Sequence, residues 1–324
     1  MASRQGTVAG RASAWRMASW SPGRQIAARV SKSGKAVAIE TTTPVAGGLV
    51  LGIDAAWTAH QPSGVALVRQ RGDSWSCAAL APSYQSFIDL AHGTPVDWAS
   101  RPQGSRPEIN ALLDAAERLG GRPVDLIAFD MPLSIEPIGN RRAADREVSR
   151  LFGSRGCAVH SPTAQRPGAI ADRIRQQLQS RGYPLCVASD SPGRSGVIEV
   201  YPHVALLALL QRDYRVAYKV SRSLLYWKAE KLPVSERIRR LLVEFRQIRT
   251  ALNQHIGAIA LPLPEPEEVS ALAALKPLED SLDALVCAWV GMEHLQGRTR
   301  GLGDSSAAIW CPEHAFRSGK DSPG

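Results

Sequence analysis

The sequence Gly48-Leu-Val-Leu-Gly-Ile-Asp54 is a short apolar run that ends on a carboxylate. Its length, its β-branched residues and its bounding glycines are typical of a strand that is buried on both faces. Asp54 then lies where this strand leaves the core. The stretch therefore predicts a central strand that offers a carboxylate at its end.

Two further segments also offer carboxylates at the ends of predicted elements. The apolar run 124–129 leads into Asp130, and Pro132 prevents the strand from continuing. Asp280 and Asp283 lie in a segment with helical spacing. Hard cations such as Mg²⁺ take oxygen ligands, which proteins supply mainly as Asp and Glu. Acids from distant parts of the chain therefore indicate a divalent-metal site.

Composition indicates a folded protein without a membrane segment. The chain has 324 residues, of which 44% are hydrophobic, and this is enough for a substantial core. It contains neither an apolar run long enough to span a bilayer nor an apolar signal core, so we expect a cytoplasmic location. Its five scattered cysteines indicate reduced thiols. Cys157-x-x-His160 and Cys311-x-x-His314 are too short and too far apart to specify zinc, and buried thiols are favoured.

The net charge of +9 is unevenly distributed along the chain. Residues 136–250 carry 21 Arg and Lys against ten Asp and Glu, whereas residues 47–135 carry six against nine, and residues 251–324 carry five against ten. The acidic segments hold the candidate metal ligands. This arrangement suits a protein that binds a polyanion with its basic segment, although a solvated basic face is an equally open interpretation.

The order of predicted elements indicates one large domain. Residues 1–46 have no hydrophobic period and are predicted to be a disordered basic tail, or sequence upstream of a later start at Met17. The domain over 47–316 is predicted to have three strands, a helix, a strand, an insertion at about 136–196, a strand and several helices. Residues 317–324 are predicted to be a second disordered tail.

The insertion contains a pattern of arginines. Arg142, Arg146 and Arg150 lie four residues apart, so a helix capped by Asn140 would carry them on one face. Guanidinium groups suit phosphates because they donate paired hydrogen bonds. The alternative is an ordinary solvated helix.

The element order matches a ribonuclease H-like α/β core, in which the first and fourth strands lie side by side and the last helix packs across them. The chain also resembles a bacterial family of predicted RNase H-like nucleases, known as domain of unknown function 429, over roughly residues 48–314. The motifs that carry the resemblance are Gly52-Ile-Asp-Ala-Ala-Trp57, Ala128-Phe-Asp-Met-Pro132, Arg142-x-x-Asp145-Arg-Glu147, Glu199-Val-Tyr-Pro-His203, Tyr218-Lys219, Asp280-Ser-Leu-Asp-Ala284 and Ile309-Trp310. We therefore expect a ribonuclease H-like fold with a mixed five-stranded sheet, flanking helices and a basic helical insertion.

The resemblance implies a metal-dependent nuclease acting on DNA or RNA. It assigns two Mg²⁺ or Mn²⁺ ions to carboxylates of the first strand, the fourth strand and the last helix. The candidate metal ligands, which are also catalytic candidates, are Asp54, Asp130, Asp280 and Asp283. Glu199 is a further catalytic candidate, and the candidate substrate-binding residues are Trp57, Arg142, Arg146 and Lys219.

Other interpretations remain open for these residues and for the function. The strand acids can cap following turns, Glu199 can pair with a nearby arginine, and Asp280 lies where a helix N-cap belongs. We expect Asp283, one turn further inside, to carry more of the chemistry than Asp280. The alternative functions are a metal-dependent hydrolase of a small phosphorylated molecule, an inactive binding module and an actin-like phosphotransferase, which normally has Gly-rich phosphate loops that this chain does not clearly show.

Overall fold

The computed structural model describes residues 47–58 and 60–316, and two short strands nearer the N-terminus. These strands, β1 (Ala28–Val30) and β2 (Ala36–Ala38), pair antiparallel in a unit separate from the rest of the chain. Apart from them, the predicted disordered tails at 1–46 and 317–324 lie outside the described residues and stay predictions.

The main unit is an α/β structure. Its strands are β3 (Leu49–Asp54), β4 (Gly64–Arg71), β5 (Ser74–Ala81), β6 (Leu126–Phe129), β7 (Gly196–Glu199), β8 (Ile256–Gly257), β9 (Thr299–Gly303) and β10 (Ala308–Pro312). Its helices are α1 (Tyr84–Ala91), α2 (Ile109–Gly120), α3 (Ala143–Phe152), α4 (Ala169–Ser180), α5 (Pro202–Leu209), α6 (Ser223–Tyr226), α7 (Val234–Asn253) and α8 (Lys276–Leu295). None of the helices in the described ranges is long and apolar enough to cross a bilayer.

The strands of the main unit form one mixed sheet in the order β8-β5-β4-β3-β6-β7-β10-β9. β3, β4 and β5 form an antiparallel meander, and β3, β6, β7 and β10 run parallel to their neighbours in that order. The first and fourth strands of the domain, β3 and β6, are adjacent, as the sequence predicts. The carboxyl-terminal ends of these two strands therefore lie side by side.

The prediction of a five-stranded sheet is wrong, because three further strands extend it. β8 pairs with β5 at one edge, and the β9–β10 hairpin pairs with β7 at the other. All five residues of β10 are buried. Its apolar run Ala308-Ile-Trp-Cys is typical of a strand. The sequence around it does not indicate which strand it pairs with. Its parallel pairing with β7 is a contact that local pattern does not reveal.

Both faces of the sheet are covered, which explains the continuous burial of β3. Helices α5, α7 and α8 share one core with Val50, while α1, α2 and α4 share another with Leu49, Leu51 and Ile53. Helix α7 is amphipathic, and the six residues of its apolar stripe are all buried: Ile238, Leu241, Leu242, Phe245, Ile248 and Leu252.

Glycines let α8 lie directly on the central strands. A Cβ atom at Gly52 of β3 would be 2.2 Å from the carbonyl oxygen of Ala284, and one at Gly64 of β4 would be 2.1 Å from that of Asp280. A side chain at either position would separate the helix from the sheet. This close approach brings the acids of α8 to the end of β3, two residues beyond Gly52.

Candidate functional site

Asp54 and Asp130 leave the sheet side by side. In the parallel pairing of β3 with β6, Ile53 lies opposite Phe129, and the backbone N–H of Asp130 donates to the carbonyl of Ile53 at 2.9 Å. Both aspartates are half-buried, and neither carboxylate has a hydrogen bond or ion pair within the described residues. Two free carboxylates therefore lie side by side at the carboxyl-terminal ends of β3 and β6.

Three acids of α8 approach the same strand ends, and all three are buried: Glu279, Asp280 and Asp283. Lys276, one turn earlier, donates to Oε1 of Glu279 at 2.9 Å and also to Oδ1 of Asp280. The second oxygen of Asp280 has no hydrogen bond among the residues that the structure describes. The prediction that Asp280 lies at an N-cap is wrong, because α8 begins at Lys276.

The segment 218–220 donates three successive hydrogen bonds to these helix acids. The Tyr218 hydroxyl donates to Oδ1 of Asp283 at 2.6 Å, and the Lys219 ammonium donates to Oδ2 of the same carboxylate. The ammonium also lies 3.5 Å from Oε1 of Glu279, and the backbone N–H of Val220 donates to Oε2 of Glu279 at 2.6 Å. Lys219, predicted to bind substrate, is therefore turned towards the acids.

We call Asp54, Asp130, Glu279, Asp280 and Asp283 the acidic cluster. Burial and the neighbouring Asp54 carboxylate raise the pKa of Asp130 and of Asp280 well above the usual value. Burial also raises the pKa of Asp283 to about 6, although Lys219 opposes this shift. When all groups are ionised, the cluster carries five negative charges, and Lys219 and Lys276 supply two positive charges. The site therefore has a net charge of −3.

The donor set of the cluster fits a hard divalent cation, because it offers carboxylate oxygens and uncompensated negative charge. Asp54, Asp130 and the second oxygen of Asp280 are the groups free to hold it. Within the described ranges, however, no three Asp, Glu, His or Cys side chains are already arranged around a metal position. The carboxylates of Asp280 and Asp283 are instead turned towards lysines.

Removing the Asp130 charge should stabilise the protein by an amount that grows with pH. A raised pKa in the folded state means that stability is lost as pH rises above the unfolded value of about 4, because ionisation costs more in the fold. In chelator, we expect the Tm of Asp130→Asn to equal that of the wild type near pH 4 and to exceed it at pH 8. Added Mg²⁺ should reduce this difference. A Tm difference independent of pH would show that Asp130 ionises as freely in the fold as in water.

Glu199 and Arg142 form a buried ion pair. Arg142 donates to both carboxylate oxygens of Glu199, at 2.6 and 2.7 Å, and to Oδ1 of Asp145 at 2.6 Å. Its Nη1 also donates to the carbonyl of Leu133, whose N–H donates back to Glu199. Of the two interpretations of Glu199, pairing with a nearby arginine is the one that the structure shows. The ion pair ties the start of α3 to the end of β7.

The predicted stripe of three arginines is wrong. Arg142, not Asn140, is the N-cap of α3, and its side chain is buried, whereas Arg146 and Arg150 are exposed. All the close partners of Arg142 are carboxylates or a carbonyl of the protein itself, so none of its donors is directed to solvent for a phosphate. Arg146 remains available on the surface, where its Nη1 donates to the carbonyl of Arg141.

Trp57 lies just beyond the end of β3 and is half-buried. Its ring is 5.9 Å from that of His160, and the guanidinium of Arg166 lies 5.7 Å from its centre. His160 and Arg166 are exposed. An aromatic ring flanked by a guanidinium, three residues after Asp54, is a surface on which a nucleobase can stack.

Sequence reasoning missed Lys276 and Glu279. The spacing of Lys276 to Glu279 and Asp280 is i to i+3 and i to i+4, which places all three on one helix face. That pattern was available once the helix was started at Lys276 instead of Asp280. The zinc alternative gains no support, because Cys157 and Cys311 are buried in an apolar core whereas His160 and His314 are exposed.

Comparison with protein-family models matches residues 52–307 to a family described as "Protein of unknown function (DUF429)". The matched region includes both strand-end aspartates, the segment 218–220 and the whole of α8. No curated protein and no solved structure gives a significant match.

Proposed function

Because the chain belongs to the DUF429 family of proteins of unknown function, we propose its activity from its site: a metal-dependent hydrolase that cleaves phosphodiester bonds of nucleic acid. The observation that carries the proposal is the meeting of two unpartnered strand-end carboxylates with the buried acids of α8. Crowded carboxylates with raised pKa values need a cation to remain ionised together.

The strand topology supports a ribonuclease H-like core within the larger sheet. Strands β5, β4, β3, β6 and β7 comprise an antiparallel meander followed by two parallel strands, with α8 lying on β3. In such a core, acids at the ends of the first and fourth strands and on the last helix supply the metal ligands, here Asp54, Asp130 and Asp280. The proposal rests on these side chains and not on the fold alone.

A divalent cation bound there would supply Lewis-acid activation of water and neutralise charge on the phosphoryl oxygens. Asp54 and Asp130 provide oxygen ligands, and Asp280 adds the oxygen that Lys276 does not use. The lysines hold the helix carboxylates in place and balance part of their charge. Water adds to phosphorus while the bond to one ester oxygen breaks, so the products are a phosphate monoester and a free hydroxyl group.

Contacts with the rest of a nucleic acid would come from the basic and aromatic surface next to the site. Trp57 with Arg166 can stack a base, and Arg146 lies exposed in the basic segment 136–250. Exposed arginines and an aromatic ring suit a flexible polymer more than a small enclosed ligand.

The direct test is cleavage of labelled single- and double-stranded DNA and RNA in the presence of Mn²⁺ or Mg²⁺. We expect cleavage that chelator abolishes and that Asp280→Asn lowers at least tenfold, because a ligand is lost. We expect Asp283→Asn to lower it less, since both oxygens of Asp283 are already hydrogen-bonded. This reverses the order expected from sequence, which assumed that Asp280 capped the helix.

Asp73→Asn is the matched control, because Asp73 lies exposed in the β4–β5 turn and the same charge is removed. Its activity should equal that of the wild type. Metal-supported cleavage that survives Asp280→Asn in full, or no cleavage of any of the four nucleic acids, would contradict the proposal as stated.

A second candidate is hydrolysis of a small phosphorylated molecule, which a cleft beside the acids favours. The cleft has a volume of about 260 Å³, and its lining includes Lys276, Ser221 and Arg101. Two cationic side chains in a cleft of this size can bind a single phosphate group. Activity on nucleotide-sized phosphodiesters or phosphomonoesters without activity on polymers would support this candidate.

A further inference from the structure

We propose that the ammonium group of Lys219 takes the place of a second divalent cation, so that the site binds one Mg²⁺ or Mn²⁺ ion per chain. The inference rests on the proposed function, because it concerns how the same acids bind metal. It replaces the expectation of two ions that follows from the resemblance to RNase H-like enzymes.

Lys219 already occupies helix acids that a second ion would need as ligands. In a two-ion site the ions are roughly 4 Å apart and share the carboxylates of the strand ends and the helix. The Lys219 ammonium already donates to Oδ2 of Asp283 and lies 3.5 Å from Oε1 of Glu279. Its positive charge is therefore held between two of the three helix acids.

The hydrogen bonds of the neighbouring residues keep the ammonium in this position. Tyr218 donates to the other oxygen of Asp283, and the Val220 N–H donates to the other oxygen of Glu279. Each of these two carboxylates thus has both oxygens occupied by donors from the segment 218–220 or from Lys276. Asp283 and Glu279 are almost fully buried, so water does not compete for them.

Binding of a second divalent ion would break or weaken the ion pair between Lys219 and Asp283. To bind Asp283 it must either displace the ammonium from a buried carboxylate or lie close to it, and like charges repel strongly where water is excluded. Displacement would also break the hydrogen bonds that orient Asp283. The second position is therefore closed to a divalent ion while the lysine is present.

An ion at the strand ends would not have to displace an ammonium group. The carboxylates of Asp54 and Asp130 have no partner among the residues that the structure describes, and Asp280 uses one oxygen for Lys276. Lys276 is the other cation at the cluster, and it lies on the side of Asp280 and Glu279. These three groups are therefore the ones available to a single ion, and none of them accepts a hydrogen bond from Lys219 within the described residues.

The stoichiometry of Mn²⁺ distinguishes one ion from two. We would titrate the purified full chain with Mn²⁺, count bound ions by calorimetry and by loss of the free-ion electron paramagnetic resonance signal, and record the spectrum at saturation. We expect one ion per wild-type chain, with the spectrum of an isolated Mn²⁺. Two ions per chain, or the spectrum of an exchange-coupled pair, would overturn the inference.

Lys219→Met tests whether the ammonium is the cause, because it keeps the length of the side chain and removes the charge. We expect this variant to bind two Mn²⁺ ions with a coupled spectrum, and Lys219→Arg, which keeps the charge, to bind one. Lys228→Met, at an exposed lysine nine residues further along, should also bind one. One ion in Lys219→Met would overturn the role of the ammonium.

The result also separates the inference from the proposed function. A wild type that cleaves nucleic acid and binds two ions would retain the function and refute the single-ion site. A wild type that binds no Mn²⁺ and cleaves none of the substrates would refute both. Melting curves show whether Lys219→Met is folded, and if it is not, the wild-type stoichiometry and spectrum still decide between one ion and two.

Discussion

Asp54→Asn should lower metal-supported cleavage by about a thousandfold, which corresponds to a loss of several kcal/mol of charge stabilisation from the metal. The reason is the central position of Asp54, whose carboxylate affects the pKa values of Asp130, Asp280 and Asp283. Its own oxygens have no other partner in the described ranges. Losing this charge removes a metal ligand that no neighbour replaces.

The same substitution should not destabilise the fold. Asn is nearly the same size as Asp, and removing the Asp54 charge relieves repulsion at Asp130 and Asp280. We therefore expect the Tm of Asp54→Asn in chelator to equal or exceed that of the wild type. Initial cleavage rates, Mn²⁺ titration and melting curves make the comparison, with Asp73→Asn as the control. Cleavage within tenfold of the wild-type rate would show that Asp54 is not a ligand.

Arg142→Met should cost about 3–5 kcal/mol of the free energy of unfolding, because it leaves buried carboxylates without their cation. Glu199 and Asp145 are both buried, and each accepts hydrogen bonds from this one guanidinium. The methionine fills much of the same space, so the loss comes from the unpaired charges more than from packing. Denaturant unfolding at neutral pH measures the change.

Arg146→Met is the matched control, since Arg146 is exposed on the same helix. It should change the free energy of unfolding by no more than about 0.5 kcal/mol. A loss below about 1 kcal/mol in Arg142→Met would mean that water or protonation compensates the two carboxylates. Reversing the charge of Arg142 would destabilise the fold, because its side chain is buried between carboxylates. Reversal of the exposed Arg146 is therefore the variant that can report on phosphate contacts.

The predictions from sequence succeeded where neighbours along the chain decide the structure. The apolar run that ends at Asp54 is the central strand β3, and the run before Asp130 is its parallel neighbour β6. Helical spacing also identified the segment that carries Asp280 and Asp283, which is helix α8. Alternation, helical spacing and residue size are local properties, so a single sequence displays them.

The roles of the charged side chains were decided by tertiary structure. Arg142 and Glu199 are 57 positions apart, and Lys219 and Asp283 are 64 apart. An arginine at helical spacing has the same local pattern whether its guanidinium faces water or a buried glutamate, and a lysine in a basic loop gives no sign of which carboxylate it will meet. The sequence by itself determined which acids lie at the ends of β3 and β6. Only the packing of segment 218–220 against α8 decided which acids stay free, because a buried charge takes its partner from whatever the fold places beside it.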